Sequence, residues 1–192
     1  MRVRTAAFYI LWKDVQSDQL LANGLPYTAN IGSGRDLGLE FETDVQPDDH
    51  WRFKANATLA EPELTQPNPT FAARPDNGLH GVPRFSAGAS ASYQLPVGHS
   101  MRLRLEASYA YVGGSHLTLD ATTSPAMGDY STGRIAAVLN RDSWSMMVFL
   151  EGPLSPRSDT FAYGNPFSFR SLAQTTPVRP ATVGVQLSVG IP

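Results

Sequence analysis

From residue 178 to residue 191 the chain reads VRPATVGVQLSVGI, and from Ala181 onward its apolar and polar residues alternate without a break. Ala181, Val183, Val185, Leu187, Val189 and Ile191 fall on one side; Thr182, Gly184, Gln186, Ser188 and Gly190 fall on the other. A period of two is the period of a β-strand, whose successive side chains point to opposite faces. Such a stripe has two homes. In a soluble sandwich the apolar side meets a second sheet. In a transmembrane β-barrel it meets lipid, and the small polar side lines the lumen.

The same pattern recurs along the chain. It predicts eight strands, at residues 3–12, 33–44, 50–60, 84–95, 101–111, 130–140, 143–151 and 178–191. In the second, Leu37, Leu39 and Phe41 alternate with Glu40 and Glu42. In the third, Trp51 and Phe53 alternate with Arg52 and Lys54, and in the fifth, Leu103 and Leu105 alternate with Arg102, Arg104 and Glu106. The sixth is less regular, because Ile135, Ala136, Ala137, Val138 and Leu139 run together.

The links between these strands alternate in length. Residues 13–32, 61–83, 112–129 and 152–177 form long links, whereas residues 45–49, 96–100 and 141–142 form short ones. Long loops on one side and short turns on the other mark an antiparallel outer-membrane barrel; a compact soluble domain rarely holds so many long connections. The long links are rich in Asn, Gly, Pro, Asp and Thr, as turn chemistry requires. Trp51, Tyr93 and Trp144 lie on apolar stripes beside the short turns, and Phe85, Tyr109 and Tyr111 beside the long links. Two aromatic levels flanking aliphatic centres fit interfacial girdles.

Composition narrows the function classes. A net charge of −2 gives no electrostatic footprint for nucleic acid. The absence of cysteine removes disulfides, thiolate metal sites and cysteine nucleophiles. A mean hydropathy of −0.21 is compatible with a barrel, in which only alternate strand residues face lipid. No apolar run is long enough for a transmembrane helix. The first residues do not read as a signal peptide, so an exported protein is expected to have a longer precursor.

No catalytic residue, metal site or cofactor is expected. His50, His80, His99 and His116 are scattered without ligand spacing, and no G-x-S-x-G or phosphate-cradling loop is present. Glu61 with Glu63, and Asp48 with Asp49, read as surface acids. Two groups of residues remain as candidates. Tyr27, His80, His116, Tyr163, Phe167 and Arg170 lie on the long links, where aromatic and arginine side chains make good ligand anchors. Glu40, Glu42, Arg52, Lys54, Arg102, Arg104 and Glu106 lie on the polar stripes. They form either a charged lumen wall or a solvated face laced with cross-strand ion pairs.

Five stretches carry a family resemblance: FYILWKDVQ, NIGSGRDLGLEFE, GVPRFSAGASASY, FAYGNPFSFR and RPATVGVQLSVG, in that order over residues 8–190. In order and spacing the chain resembles the C-terminal part of the barrel of TonB-dependent outer-membrane receptors. The resemblance implies an all-β, antiparallel transmembrane architecture over residues 1–192. Its eight strands, joined as consecutive hairpins, would be the last eight of a barrel of about 22 and would not close by themselves. It implies a Gram-negative outer membrane, contact with its lipid, a plug domain and the TonB protein as partners, and uptake of a ferric siderophore or similar scarce nutrient. On this reading the seven polar-stripe residues face the plug or passing ligand, and the chain is a C-terminal fragment without plug, TonB-contacting segment or terminal aromatic residue.

Two other readings make different structural demands. A stand-alone eight-stranded barrel with a structural or adhesive role requires the first and last strands to pair. A soluble β-sandwich binding module requires Val183, Val185, Leu187 and Leu105 to be packed away from solvent.

Overall fold

The computed structural model describes residues 1–20, 26–70, 78–79, 81–116, 126–154, 159–161 and 176–190. Eight strands form one antiparallel meander: β1 (Arg2–Leu20), β2 (Pro26–Val45), β3 (Trp51–Pro67), β4 (Phe85–Val97), β5 (Met101–Val112), β6 (Tyr130–Arg141), β7 (Trp144–Pro153) and β8 (Thr182–Val189). Each pairs with its sequence neighbours, so β1 and β8 are the edges and the sheet is open. Two short ribbons lie in the connections, Ser115–His116 with Ala126–Met127 and Asp159–Phe161 with Thr176–Pro177. The consecutive hairpins agree with the sequence reading; the open edges remove the closed eight-stranded barrel.

Short turns join β2 to β3, β4 to β5 and β6 to β7. The tightest, Asp142–Ser143, places Asp142 at φ +22°. Gly98 supplies φ +64° in the β4–β5 turn, a value glycine adopts without steric cost.

The first three strands run well past their expected ends. They span 19, 20 and 17 residues, against the about 9–11 that a tilted membrane crossing needs. The expected long link 13–32 is therefore mostly paired strand, with Gln16 opposite Asn30 and Asp18 opposite Thr28. Alternation fades there because both sides are polar, yet backbone pairing continues through irregularities between Trp12 and Gln16. Asp14 takes φ +54° at that point and accepts a 2.7 Å hydrogen bond from the Asn30 side chain.

Residues 61–67, read from their prolines as turn, are strand as well. Pro62 fits because β4 pairs with β3 only from Trp51 to Leu59, so above Leu59 one side of β3 is a free edge. A proline without an N–H is tolerated at such an edge. Residues of the β3–β4 connection then dock there. Leu79 donates its N–H to the Pro62 carbonyl at 3.2 Å, and Gly78 bridges Glu63. β8 is shorter than expected, starting after Pro180, whose carbonyl accepts the Thr182 hydroxyl at 2.9 Å.

The registers carry every alternating stripe onto a common pair of faces. One rung reads Val45–Phe53–Ala91–Ala107–Ile135–Leu150–Val183, and the next Trp51–Tyr93–Leu105–Ala137–Val148–Val185. Among the described residues no second layer packs over this apolar face. Val183 is 74 % exposed, Val185 69 %, Leu187 67 % and Leu105 44 %. A sandwich buries these positions, so the soluble-module reading fails. Leaving such a face in water forgoes about 25 cal/mol for each Å² of apolar surface; lipid removes that penalty.

Among the described residues, the buried hydrophobic side chains lie elsewhere. Ile31 and Leu64 form a small cluster with Val15 and Leu79 where β1, β2 and β3 extend beyond the apolar face. Ala136 and Val138 are buried on the opposite, polar face, which explains the unbroken apolar run in β6. Ile135, Ala137 and Leu139 serve one side, and Ala136 and Val138 the other.

Candidate functional site

The polar face is built rung by rung from the alternate residues. Arg4, Glu42, Asn56, Gly88 and Ala110 lie in one row; Asp44, Lys54, Ser90, Ser108, Arg134, Glu151 and Thr182 in the next; and Arg52, Ser92, Glu106, Ala136, Phe149 and Gly184 in the third. All seven residues expected on the polar side, Glu40, Glu42, Arg52, Lys54, Arg102, Arg104 and Glu106, lie on this face. The structure groups them in two patches. On β2 and β3, Arg52 grips Asp44 through two hydrogen bonds of 2.6 and 3.0 Å, and Arg4 meets Glu42 at 3.4 Å. On β5, Arg104 meets Glu106 at 2.8 Å. Between the patches β4 presents Ser86, Gly88, Ser90 and Ser92, so the charged walls stand on either side of a low strip.

Sequence reasoning missed a third group on this face. The Arg134 guanidinium lies 5.1 Å from the Phe149 ring centre, its Nη2 reaches the Met147 sulfur at 3.2 Å, and its Nε stands 3.7 Å from the Glu151 carboxylate. Phe149 in turn covers Gly184, where a side chain would collide with the ring. The signal was present, since Arg134 and Glu151 occupy the polar phase of β6 and β7. The irregular run beside Arg134 obscured that phase until the register fixed it.

The apolar face is banded as a membrane wall requires. Trp51 stacks on Phe53 at 5.2 Å and meets Tyr93 at 4.7 Å beside the short turns. Phe85 and Tyr111 meet at 6.0 Å towards the opposite end. From Trp51 to Leu59, the partner of Phe85, the strand rises about 27 Å before tilt, comparable with an apolar band about 25 Å tall. Above the band the same face turns charged, with Arg35 and Glu63 paired at 2.6 Å. A groove of about 710 Å³ crosses the band, floored by Ala55, Ala89, Ala91 and Ala107 and walled by Phe53, Tyr109, Ile135 and Leu150.

Asp48 sets the β2–β3 turn. One of its carboxylate oxygens accepts the Trp51 N–H at 2.7 Å and the His50 N–H at 2.8 Å. These two amides hold the carboxyl below the ordinary aspartate range. Because the folded value is depressed, the turn's contribution is complete above the unfolded pKa of about 3.9 and fades as pH falls through the lower folded value. Hydrogen exchange should therefore show the Trp51 and His50 amides protected at neutral pH and progressively unprotected in strong acid. Asp48→Ala should lose that protection at every pH; a variant as protected as the parent would disprove the assignment.

The expected ligand residues are spread over separate connections. Tyr27 is exposed on the extended β1–β2 hairpin. His116 is half-buried in the β5–β6 connection, and its carbonyl accepts the Gly81 N–H at 2.8 Å, tying two connections together. His80, Tyr163, Phe167 and Arg170 lie outside the described residues.

Residues 1–146 match the family model for the TonB dependent receptor-like β-barrel, which covers β1 to β6 and the start of β7. The chain belongs to the TonB-dependent receptor-like β-barrel family. No curated protein is close enough in sequence to be matched with it. The family is one of outer-membrane barrels. The family is one of receptors and transporters rather than enzymes.

Proposed function

We propose that the chain is the C-terminal barrel portion of a receptor that actively takes up a ferric siderophore or similar scarce nutrient. The observation that carries this reading is the open meander itself, with a continuous apolar face on one side, a charged face on the other and long connections at one end. Arg52, Lys54, Glu40 and Glu42 on one patch, and Arg102, Arg104 and Glu106 on the other, would contact a plug domain and the ligand passing it. Tyr27 and His116, with His80, Tyr163, Phe167 and Arg170, would contribute to ligand capture outside the cell. β8, with one free edge, would pair with a strand contributed by the rest of the barrel. TonB supplies the energy coupling in this scheme, and the charged inner wall holds the plug until that coupling acts.

Uptake of ⁵⁵Fe-labelled siderophores by cells expressing the complete gene tests the reading. Accumulation should require the proton gradient and TonB and should fall on reversing the patch charges, as in Arg52→Glu with Lys54→Glu. Uptake that persists without TonB would refute active transport, and failure across siderophores and other scarce nutrients, with the receptor present in the outer membrane, would refute nutrient uptake.

A further inference from the structure

One carboxylate lies where the extension of β1, β2 and β3 leaves the apolar band. Asp36 is 7 % exposed, the one buried acid among the described residues. It pairs with Ile10 on β1 and with Pro62 on β3, beyond Leu59. Its side chain belongs to the polar phase of β2, with Gly34, Gly38 and Glu40. Aromatic rings close both ends of its recess. A side chain added at Gly38 would collide with the Phe8 ring, and one at Gly34 would touch Trp12. Pro62 is fully buried beside it.

Inside that recess one carboxylate oxygen is stranded. Asp36 accepts a hydrogen bond from the Glu61 backbone amide, but its Oδ1 is shielded from solvent and has no partner. Among the described residues no charge faces it. β1 presents Phe8, Ile10 and Trp12, with Lys13 and Asp14 past Trp12 at the irregularity. β3 presents Ala60, Pro62 and Leu64, while Glu61 and Glu63 turn to the opposite face. On β2, Arg35 turns away too, paired with Glu63, and Glu40 lies further along towards the short turn. From the β3–β4 connection, Gly78 and Leu79 bring no charge. A carboxylate oxygen buried without a donor disfavours the charged form. Burial accordingly holds the Asp36 carboxyl above the ordinary aspartate range, against the opposing pull of the Glu61 amide.

We propose that Asp36 is a proton-operated latch between the apolar band and the extension above it. With a proton bound, Asp36 leaves the recess neutral and the extension packed. Ionised, it loosens β1, β2 and β3 beyond Leu59. Because the folded value is raised, the stabilisation is complete below the unfolded pKa of about 3.9 and is lost as pH rises through the higher folded value. Leu64, the next polar-phase residue after Pro62 on β3, carries the change into its cluster with Ile31 and Leu79. The Leu79 amide, bonded to the Pro62 carbonyl, reports on the recess directly. The hairpin end that carries Tyr27 is thereby held more firmly in acid than at neutral pH. The latch does not depend on which nutrient is taken up.

The test uses the full chain folded in dodecyl maltoside. Hydrogen exchange, corrected for the intrinsic effect of pH, is read at about pH 7 and about pH 4.5. Protection of the Leu79 amide and of the β2–β3 amides beyond Leu59 should rise in acid, while that of β4 to β7 stays constant. Asp36→Asn should abolish that rise and give the same protection at both pH values. Unchanged protection in the parent chain, or a rise that survives in Asp36→Asn, would overturn the proposal. A second measurement needs no variant. The Asp36 carboxyl carbon, followed by ¹³C NMR in the native chain, should titrate above the unfolded aspartate value; titration at or below that value would overturn the proposal too.

Discussion

Arginine at position 135 is expected to cost about 2–4 kcal/mol when the protein is folded in lipid vesicles, the penalty for a cation near the middle of a transmembrane barrel wall. Ile135 lies between Ala107 and Leu150 on the apolar face and is 57 % exposed. Its exposure gives no reason for a large effect in water, where an exposed substitution stays within about 0.5 kcal/mol. The penalty arises only if that surface meets hydrocarbon. Ala110→Arg supplies the comparison. Ala110 is also exposed on the same sheet but belongs to the polar phase, opposite Thr132. It should change stability by no more than about 0.5 kcal/mol. Urea unfolding of both variants in phosphatidylcholine vesicles, followed by tryptophan emission, measures the difference. Equal small effects would mean that the apolar face does not contact lipid.

Leu64→Ala is expected to cost about 2–5 kcal/mol, the range for truncating a fully buried leucine, but to spend that cost locally. Leu64 is 2 % exposed and packs with Ile31, Val15 and Leu79, beyond the apolar band. Nothing in that cluster belongs to the membrane wall. Hydrogen exchange should therefore show the Leu79 amide, bonded to the Pro62 carbonyl, losing protection while β4 to β7 keep theirs. Leu59→Ala, half-exposed on the apolar face, should leave the Leu79 amide protected. If Leu64→Ala instead released the whole sheet together, the extension would not be a separate cooperative unit.

These two experiments probe what was legible in the sequence and what was not. β4 and β5 were read almost to the residue, because each has one apolar and one polar side throughout and a short turn between them. β1, β2 and β3 were read only over the stretch where their faces differ. Above it Asp14, Asn30, Glu61 and Glu63 are compatible with solvent on both sides, and polarity says nothing about pairing. The cluster of Ile31 and Leu64 was invisible for a related reason, since it depends on a residue of the β3–β4 connection, Leu79, folding back onto the free edge of β3. The charged residues of the polar face were found because they share one phase. Their partners were not, because Asp44 with Arg52 is a contact across strands, which only the register fixes. The family followed from the order of several weak segments.

The sequence by itself determined the two faces. A period of two has one phase, and where large apolar residues keep to it, as in β4 and β5, pairing sets them on one face and the polar residues on the other. It also determined the hairpin order, because links as short as Arg141–Trp144 can join only adjacent antiparallel strands. Only the tertiary structure decided whether the apolar face packs against a second sheet. An alternating stripe is equally compatible with a core and with lipid, and the decision came from the absence of any described layer over Val183, Val185 and Leu187. It also decided the partners across the polar face, such as Asp44 with Arg52 and Arg134 with Glu151. Those depend on register between strands, a relation that no single strand encodes.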